Sequence, residues 1–561
     1  MLRRKTLIVL SLFALLLPGA VFAKPVRKEI YQASPEVIEK IKAEGMGENS
    51  QVMKTMSYLT DVIGGRLTNS PSMKRANEWT RDTMAKWGMQ NAHLEAWGPF
   101  GRGWTLKEFS AQAVSPQAFP VIAFPKAWSP STKGEVTGDV VLLSYKTEAD
   151  LAKYKGKLKN AIVFVSSPRS LEADFDGMGA RFTDAELLAM ANAPDPARST
   201  GGGFNLSPER IKQILESRAL TMKALNMLIE EGAAVMVDNS SKGSGGTVFV
   251  SGATVAGDPP KSIEDLFGRR GTSAWDKEAE SKMVPQMTMA TEDYNRISRM
   301  IGFGEKVRMT VNIQTQYHDE DLMGYNTIAE IPGTDPLLKD EIVMLGAHLD
   351  SWHGSGGATD NAAGSAVAME AARILLATGL KPRRTVRVAL WSGEEQGLNG
   401  SREYVAKHFG EMQGGGGRFA ALTGAGPGKL VKKPAYEKFS AYYNMDNGTG
   451  KFRGVYLQGN AAVAPIFRVW LEPFAKMGAS TLTMQNTGGT DHLSFDAIGL
   501  PGFQFIQDTI EYSTRTHHSN QDNYDRIQAD DLKQNATIMA AFVYQTAMMD
   551  GKIPQKNTEK P

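Results

Sequence analysis

One glycine-rich stretch, GAHLDSWHGSGGATDNAAG, holds residues that could bind a metal: His348, Asp350 and Asp360. An apolar run, Ile342–Leu345, leads into it, and small, helix-forming residues follow it. An imidazole and carboxylates at the end of a strand suit a hard-to-borderline divalent cation such as zinc. A single His-x-Asp pattern is common by chance, so the prediction depends on further ligand types downstream.

Such residues recur at the ends of later predicted strands. Glu394-Glu395 follow the buried strand Thr385–Trp391, Asp446 follows Ala441–Met445, and His517-His518 lie in a polar stretch. Taken singly, the first two patterns could be an acidic first turn of a helix and an Asn-Gly turn. In α/β folds, however, sites form at the carboxyl ends of strands, so their shared placement favours one common site.

The combined set contains two imidazoles, three carboxylates for metal binding and one further acid. Its members are His348, Asp360, Glu394, Glu395, Asp446 and His518. This inventory suits two divalent ions bridged by one carboxylate, with open positions for water. Asp350 is expected to accept the other ring N–H of His348. The chain has no cysteine, which excludes thiol ligands, a thiol nucleophile and disulfides.

The elements that must position these residues alternate between strands and helices from Lys306 onward. Predicted strands are Val307–Gln314, Met323–Glu330, Ile342–Ala347, Thr385–Trp391 and Ala441–Met445, and predicted helices are Gly364–Ala377, Gly400–His408, Ala462–Met477 and Ala529–Met549. This alternation predicts an α/β domain with both faces of its sheet covered. Helices starting at Ser34, spanning Ser50–Ile63 and spanning Ser72–Trp87 precede it.

The middle of the chain has short apolar runs separated by turn residues and no ligand set. The predicted strands are Asp139–Tyr145, Asn160–Ser166, Ala233–Val237 and Thr247–Val250, with a helix at Ser217–Glu230. We interpret this part as a β-rich accessory domain that shapes substrate access, with Phe175–Arg210 as a long surface excursion. We predict that Gln413–Lys433 is a flexible loop insertion and that the polar tail after Asp550 is frayed.

The N-terminus has the pattern of an export signal. Basic residues at positions 3–5 precede an apolar run, Leu7–Leu17, and a small-residue cleavage site ending at Ala23. Removing those three basic residues from 63 leaves 60 against 61 acidic ones, a net charge of −1. The balance gives no indication of nucleic-acid binding, and no later run is long enough to span a membrane. We therefore expect a periplasmic or extracellular protein. The sequence is compatible with either a monomer or a homo-oligomer.

Six motifs carry a resemblance to a known family. They are HLDSW at His348, GATDNAAG ending at Gly364, LWSGEEQGLNGS around Glu394, MDNGTG around Asp446, TDHLSFDAIGLPG around Asp491 and HHSNQD at His517, with IGGRLTNSP at Ile63. The sequence resembles the co-catalytic zinc exopeptidases, which include bacterial leucyl aminopeptidases and the plasma-type glutamate carboxypeptidase. The resemblance implies a three-layer α/β/α zinc-peptidase domain with a mixed central sheet and an inserted, β-rich protease-associated domain.

The resemblance also implies roles for single residues. His348 and Asp446 would hold one zinc ion, Glu395 and His518 the other, and Asp360 would bridge them. The resemblance further implies that Glu394 is the general base and that Asp491 and His492 are pocket groups. His517 stands where some relatives carry Tyr and is a candidate for polarising the carbonyl. A cis peptide bond between Asp360 and Asn361 is expected, and His93, His318, His353 and His408 are expected to be ordinary loop or surface residues.

The predicted domains are a signal peptide (1–23), an N-terminal part of the peptidase (24–110), the inserted domain (111–305), the catalytic domain (306–550) and a flexible tail (551–561). The predicted function is removal of N-terminal residues from peptides or dipeptides by water activated by two zinc ions. Alternatives are a carboxypeptidase or dipeptidase that binds the C-terminal carboxylate through Arg515, a single-zinc acyltransferase resembling glutaminyl cyclase, and a non-catalytic protein resembling the transferrin receptor.

Overall fold

The computed structural model describes residues 30–196, 207–262, 265, 271–414 and 428–556. The strands are β1 Gln90–Trp97, β2 Gly103–Ser115, β3 Phe119–Pro120, β4 Ala123–Pro125, β5 Val136–Leu142, β6 Ile162–Phe164, β7 Val235–Asn239, β8 Gln286–Met289, β9 Arg308–His318, β10 Gly324–Ile331, β11 Ile342–His348, β12 Thr385–Trp391, β13 Gly410–Gln413, β14 Lys429–Lys432, β15 Phe439–Asn444, β16 Phe452–Tyr456, β17 Thr481–Thr483 and β18 Gly502–Gln507. The α-helices are α1 Pro35–Met46, α2 Val52–Ser57, α3 Pro71–Lys86, α4 Glu148–Ala152, α5 Asp184–Ala191, α6 Pro208–Glu231, α7 Thr291–Gly302, α8 Ala363–Ala377, α9 Asn399–His408, α10 Ala464–Leu471, α11 His492–Asp496 and α12 Ala529–Met548.

The predicted α/β domain with a mixed central sheet is confirmed, and we call it the peptidase part, and its sheet the peptidase sheet, after the predicted function. Its sheet has eight strands in the order β1-β10-β12-β11-β15-β18-β16-β17. The central strands β12, β11, β15 and β18 are parallel neighbours. β10 runs antiparallel to β1 and β12, and β16 runs antiparallel to β18 but parallel to β17. One face packs against α1, α8 and α12, and the other against α9 and α11. Helices on both faces bury β11, β15 and β18 completely and β12 in large part, which explains why β11 begins with a continuous apolar run.

The N-terminal helices begin and end at residues whose chemistry favours a boundary. Pro35 occupies the first turn of α1, and the hydroxyl of Ser70 accepts the Met73 N–H at the start of α3. The single helix predicted for Ser50–Ile63 is instead α2 followed by a wider π-turn, Tyr58–Ile63. Gly64 ends it with a positive φ of 84°, a conformation that glycine adopts without strain.

A second sheet occupies the middle of the chain, residues 98–323, which we call the second-sheet region. Its strand order is β3-β2-β9-β5-β6-β7-β8-β4, and β5 to β8 are parallel neighbours. Parallel strands require crossover connections, and α4, α6 and α7 pack on the faces of this sheet. The region is therefore mixed α/β, whereas the sequence suggested a β-rich unit.

The long strand β9 lies outside the predicted limits of the insert, 111–305, and the long strand β2 crosses the first of these limits. They pair antiparallel from Gly103–His318 to Ser115–Arg308 and both belong to the second sheet. Sheet membership therefore changes between β1 and β2 and between β9 and β10, not at residues 110/111 and 305/306. Alternation in β9 predicts a strand correctly but carries no information about its partner, because pairing between distant segments leaves no local signal.

Three other predicted segments differ from the structure. Thr247–Val250 is not a strand and forms only a single bridge, between Phe249 and Ser519. The predicted excursion 175–210 contains α5 and the start of α6 and contacts the peptidase part, and residues 197–206 lie outside the described residues. In the tail predicted to be flexible, Ile553 is buried and its N–H donates to Ser440.

Candidate metal centre

The predicted ligands come together at one edge of the peptidase sheet. His348 is the last residue of β11, Glu395 follows β12, Asp446 follows β15, and His518 lies in the loop after β18. These four strands are adjacent and parallel, so their carboxyl ends meet at the same edge. Asp360 reaches the edge from the loop between β11 and α8.

Asp360 lies between two imidazoles. Its Oδ1 is 3.2 Å from His348 Nε2, and its Oδ2 is 3.2 Å from His518 Nε2. On the first side, Asp446 Oδ2 is 3.5 Å from His348 Nε2. On the second side, Glu395 Oε2 is 2.8 Å from His518 Nε2. The side chains thus form two groups that share one carboxylate.

The chemistry of these donors fits divalent cations. Three of their atoms are buried and have no hydrogen-bond partner within the described residues: His348 Nε2, Asp360 Oδ2 and Glu395 Oε1. Buried polar atoms without partners are costly, and a cation would satisfy all three. Grouping ligand atoms by mutual distance gives one set of His348, Asp360 and Asp446, and a second of Asp360, His517 and His518.

His517 is therefore close to the second group, beside the predicted ligand Glu395. Its Nε2 is 3.8 Å from Asp360 Oδ2, and its ring stacks on the His518 ring with centroids 3.7 Å apart. Its side chain is about one-third exposed (35%), while that of Glu395 is 3% exposed. His518 is exposed to a similar extent (33%), but its Nε2 is closer to both carboxylates, 3.2 Å from Asp360 Oδ2 and 2.8 Å from Glu395 Oε2, so His518 is the better ligand and His517 is left to contact a substrate.

Asp350 contacts different groups from those expected. The closer partner of His348 Nδ1 is the backbone carbonyl of Asp350, at 3.0 Å, while the carboxylate Oδ1 is 3.7 Å away. The carboxylate accepts the backbone N–H groups of Glu394 and Glu395, both at 3.3 Å, and the Thr68 hydroxyl at 2.9 Å. Asp350 therefore orients the turn that carries the two glutamates.

Glu394 lies at the first group without belonging to it. Its Oε2 is 4.0 Å from His348 Nε2, farther than the aspartate oxygens, and the residue is buried. Burial, together with the neighbouring carboxylates, raises the pKa of Glu394 well above its ordinary value. Asp491 is fully buried nearby, and burial raises its pKa to about 7. His492 points elsewhere, with Nε2 3.2 Å from the Thr487 carbonyl.

Three further residues at the site were not singled out from the sequence. The Asp522 carboxylate accepts the backbone N–H groups of Thr359 at 2.6 Å and of Asp360 at 3.1 Å, which fixes the shared carboxylate. The Tyr512 hydroxyl lies 3.4 Å from Asp446 Oδ1. Arg66 is fully buried and donates to backbone carbonyls of the loop after β11. Asp522 lies within the HHSNQD motif, which could have indicated it.

The Arg515 side chain is already in contact with other residues and is only partly exposed to solvent. Its side chain is about one-quarter exposed (27%), with Nε 3.7 Å from Glu511 Oε1 and Nη2 2.7 Å from Met178 Sδ. The second-sheet region supplies another cation, Lys242, whose Nζ donates to the Ser513 carbonyl at 3.1 Å. Within the described residues, no carboxylate lies within 4.0 Å of Lys242 Nζ.

Two smaller expectations have clear outcomes. The peptide bond between Asp360 and Asn361 is cis, as predicted. His353 lies in a loop, as expected, but its ring is packed and not free on the surface. Its Nε2 is 2.7 Å from the Pro125 carbonyl, its ring packs edge-on against Trp104, and burial lowers its pKa to about 4. His353 therefore joins the peptidase part to the second-sheet region.

Comparisons with known proteins agree with the fold and the site. Carboxypeptidase Q from Bos taurus is 23% identical over 504 residues, 89% of this chain and 86% of that protein. Carboxypeptidase Q from Mus musculus is 28% identical, but the match spans only about half of each chain, 48% of this one and 52% of that one. Leupeptin-inactivating enzyme 1 from Streptomyces exfoliatus is 30% identical over 34% of this chain and 37% of that enzyme.

Solved structures support the fold. A peptidase M28 precursor from Shewanella amazonensis SB2B has a TM-score of 0.60 at 21% identity and covers 93% of this chain and 99% of its own. A zinc aminopeptidase from Bacillus subtilis has a TM-score of 0.51 at 17% identity, covering 91% and 96%. The sequence prediction of a metallo-exopeptidase is supported by the curated relatives named above. Residues 326–543 match the family model described as Peptidase family M28.

No helix in the part of the chain that the structure describes is both long enough and apolar enough to cross a bilayer.

Proposed function

We propose that this protein is an exopeptidase that removes the N-terminal residue from peptides and uses two zinc ions. The observation that carries the proposal is Asp360, whose two carboxylate oxygens each face a different imidazole at 3.2 Å. A carboxylate placed in this way can bridge two cations, and paired ions suit hydrolysis by an activated water.

The proposed ligands divide into two sets, one for each ion. His348 and Asp446 would hold one ion, Glu395 and His518 the other, with Asp360 shared. When bound, the ions supply Lewis acidity, which polarises the scissile carbonyl and lowers the pKa of water. Their positive charge also favours the ionised form of the buried carboxylates around them.

Glu394 is the proposed general base, because it is the one acid of the predicted set that lies outside both close groups. It accepts a proton from the attacking water and returns it to the leaving amine, so no covalent intermediate is needed. The Asp350 carboxylate holds the backbone of Glu394 in place. His517, exposed beside the second group, is positioned to donate a hydrogen bond to the substrate carbonyl.

The first prediction concerns metal content. Protein purified without chelator is expected to contain about two zinc ions per chain, because the two donor groups share a bridging carboxylate. Elemental analysis of carefully loaded protein checks this. A saturated content of one ion would favour the single-zinc acyltransferase, and transfer without hydrolysis of amide substrates would support that alternative.

The second prediction concerns which end of the substrate is bound. The carboxylate-rich site suits a free α-amine, since a buried charge needs a partner of opposite sign. N-acetylation of a good dipeptide substrate is therefore expected to abolish cleavage, while C-terminal amidation changes kcat/KM much less. Equal cleavage of the acetylated and free peptides would contradict N-terminal recognition.

A second candidate, recognition of a C-terminal carboxylate, is favoured by the cations beside the site. Arg515 already contacts Glu511, whereas Lys242 has no carboxylate partner among the described residues. If a carboxylate is bound, Lys242→Ala should raise KM for dipeptides and leave their C-terminal amides unchanged. Arg515→Ala is the comparison variant, and an equal effect on acids and amides in both variants would exclude this candidate.

We also propose export, on the signal-like pattern of residues 1–23, which lie outside the described residues. The proposed substrates are peptides that meet the protein after export. Detection of the mature N-terminus at Lys24 in a secreted or periplasmic fraction would support this proposal.

A further inference from the structure

The ligand His518 lies on a segment that the peptidase sheet does not hold by strand pairing. It belongs to the loop of residues 508–522, which we call the histidine loop, after the last residue of β18. His348, by contrast, is itself the end of a central strand. His518 has a positive φ of 59°, a region that residues with a side chain rarely occupy and that costs free energy. Surrounding contacts must therefore maintain its backbone.

The second-sheet region supplies those contacts on one side of the histidine loop. The Val250 N–H donates to the His518 carbonyl at 2.8 Å, so the ligand residue itself is bonded to this region. Asn520 forms three bonds with the same segment. Its N–H donates to the Val248 carbonyl at 3.1 Å, its Oδ1 accepts the Val248 N–H at 2.8 Å, and its Nδ2 donates to the Gly246 carbonyl at 3.2 Å.

A different segment of the second-sheet region holds the start of the histidine loop. Ala180 and Ile510 exchange two backbone bonds, of 3.1 and 2.8 Å. The Thr514 hydroxyl donates to the Met178 carbonyl at 2.8 Å. Arg181 donates to the Asp508 carboxylate at 2.9 Å. The loop is therefore bonded at both ends to one region of the chain that contributes no ligand.

The two metal groups therefore differ in which parts of the chain hold their ligands in place. His348 ends β11 and Asp446 follows β15, both central strands of the peptidase sheet. The histidine loop is bonded to residues 178–181 and 246–250, in addition to the bonds of Thr516 and Asp522 with Thr359. Groups that orient a ligand from behind typically change metal affinity by about 10- to 100-fold when they are removed. The sequence suggests only a role in substrate access for this region, and the contacts indicate another.

We propose that the second-sheet region assembles the second metal group by fixing the histidine loop, so that its contacts set the affinity for one ion of the pair. The inference depends on the proposed two-ion site. In it, Asn520 and Arg181 are positioning residues, which act on the metal through His518 and touch neither ion nor substrate. When Asn520 or Arg181 is replaced, the first group, formed by His348, Asp446 and Asp360, keeps its ion.

The test is a zinc competition titration of the full chain with a chromophoric chelator. Asn520→Ala is expected to lower the affinity for one of the two ions by about 10- to 100-fold and to leave the other within about twofold. Asn520→Asp retains the acceptor for the Val248 N–H and should restore part of the affinity. Arg181→Gln, at the other end of the loop, should act in the same direction, and excess zinc should restore activity in each variant.

Matched controls come from the same region. Asn312→Ala, on β9, and Arg210→Gln, on α6, remove side chains that bond only within this region, and both should bind two ions as the unchanged chain does. Thermal unfolding midpoints identify variants that fail to fold, in which case Asn520→Asp and Arg181→Gln decide the matter. Two ions bound with unchanged affinity in these variants, or equal weakening of both ions, would overturn the inference. A wild-type chain that saturates with one ion would instead refute the proposed two-ion site.

Discussion

Replacing Glu394 by Gln is expected to lower kcat by roughly two to four orders of magnitude while both zinc ions remain bound. The amide has nearly the same shape as the carboxylate but cannot accept the water proton. Glu394 Oε2 is 4.0 Å from His348 Nε2, outside the closer contacts among the proposed ligands. Steady-state hydrolysis of a dipeptide, with zinc measured on the same preparation, checks both parts of the expectation.

Glu395→Gln is the control for this prediction, because the two glutamates are adjacent and differ in their surroundings. Glu395 Oε2 lies 2.8 Å from His518 Nε2 at the second group. Its substitution should weaken binding of one ion and should be partly rescued by added zinc. Equal loss of metal in the two variants would show that their proposed roles are wrong.

Asp360→Ala is expected to weaken binding of both ions, because each of the two groups loses the carboxylate that it shares. The loss of affinity should exceed about 100-fold for each ion, since removing even an outer partner of a ligand costs 10- to 100-fold. Asp446→Ala, which affects only the first group, should leave one ion tightly bound. Chelator competition on both variants distinguishes the cases, and a single ion retained at full affinity in Asp360→Ala would contradict a bridging role.

The sequence predicts the peptidase sheet well where strands are fully buried. β11 begins with a continuous apolar run, β12 is apolar except for Thr385 and Arg387, and the limits of both strands match the prediction to within one residue. β9 was predicted as a strand but placed in the wrong sheet, because its partner β2 lies about two hundred residues earlier in the chain. Burial is encoded locally, whereas the choice of a distant partner is not.

The candidate ligands could be predicted because their chemistry is specific and they all follow strands. Their geometry supports the metal roles proposed for them. The sequence does not indicate that Tyr512 and Asp522 belong to the site, because a tyrosine or aspartate in a polar loop has many ordinary explanations. Their importance depends on contacts with Asp446 and with the backbone of Asp360. Likewise, bonds between the histidine loop and residues 246–250 join segments that no local pattern relates.

The way in which the second-sheet region is attached bears on the topology of the peptidase sheet. Trp97, at the end of β1, is paired with Gly324, at the start of β10. The chain therefore leaves the peptidase sheet and returns to it at neighbouring positions, and residues 98–323 are topologically the connection of one β-hairpin. The entropic free-energy cost of closing a flexible connection grows only slowly with its length, by about 0.6 kcal/mol for each doubling. A large module placed at this point therefore leaves the strand order of the peptidase sheet unchanged.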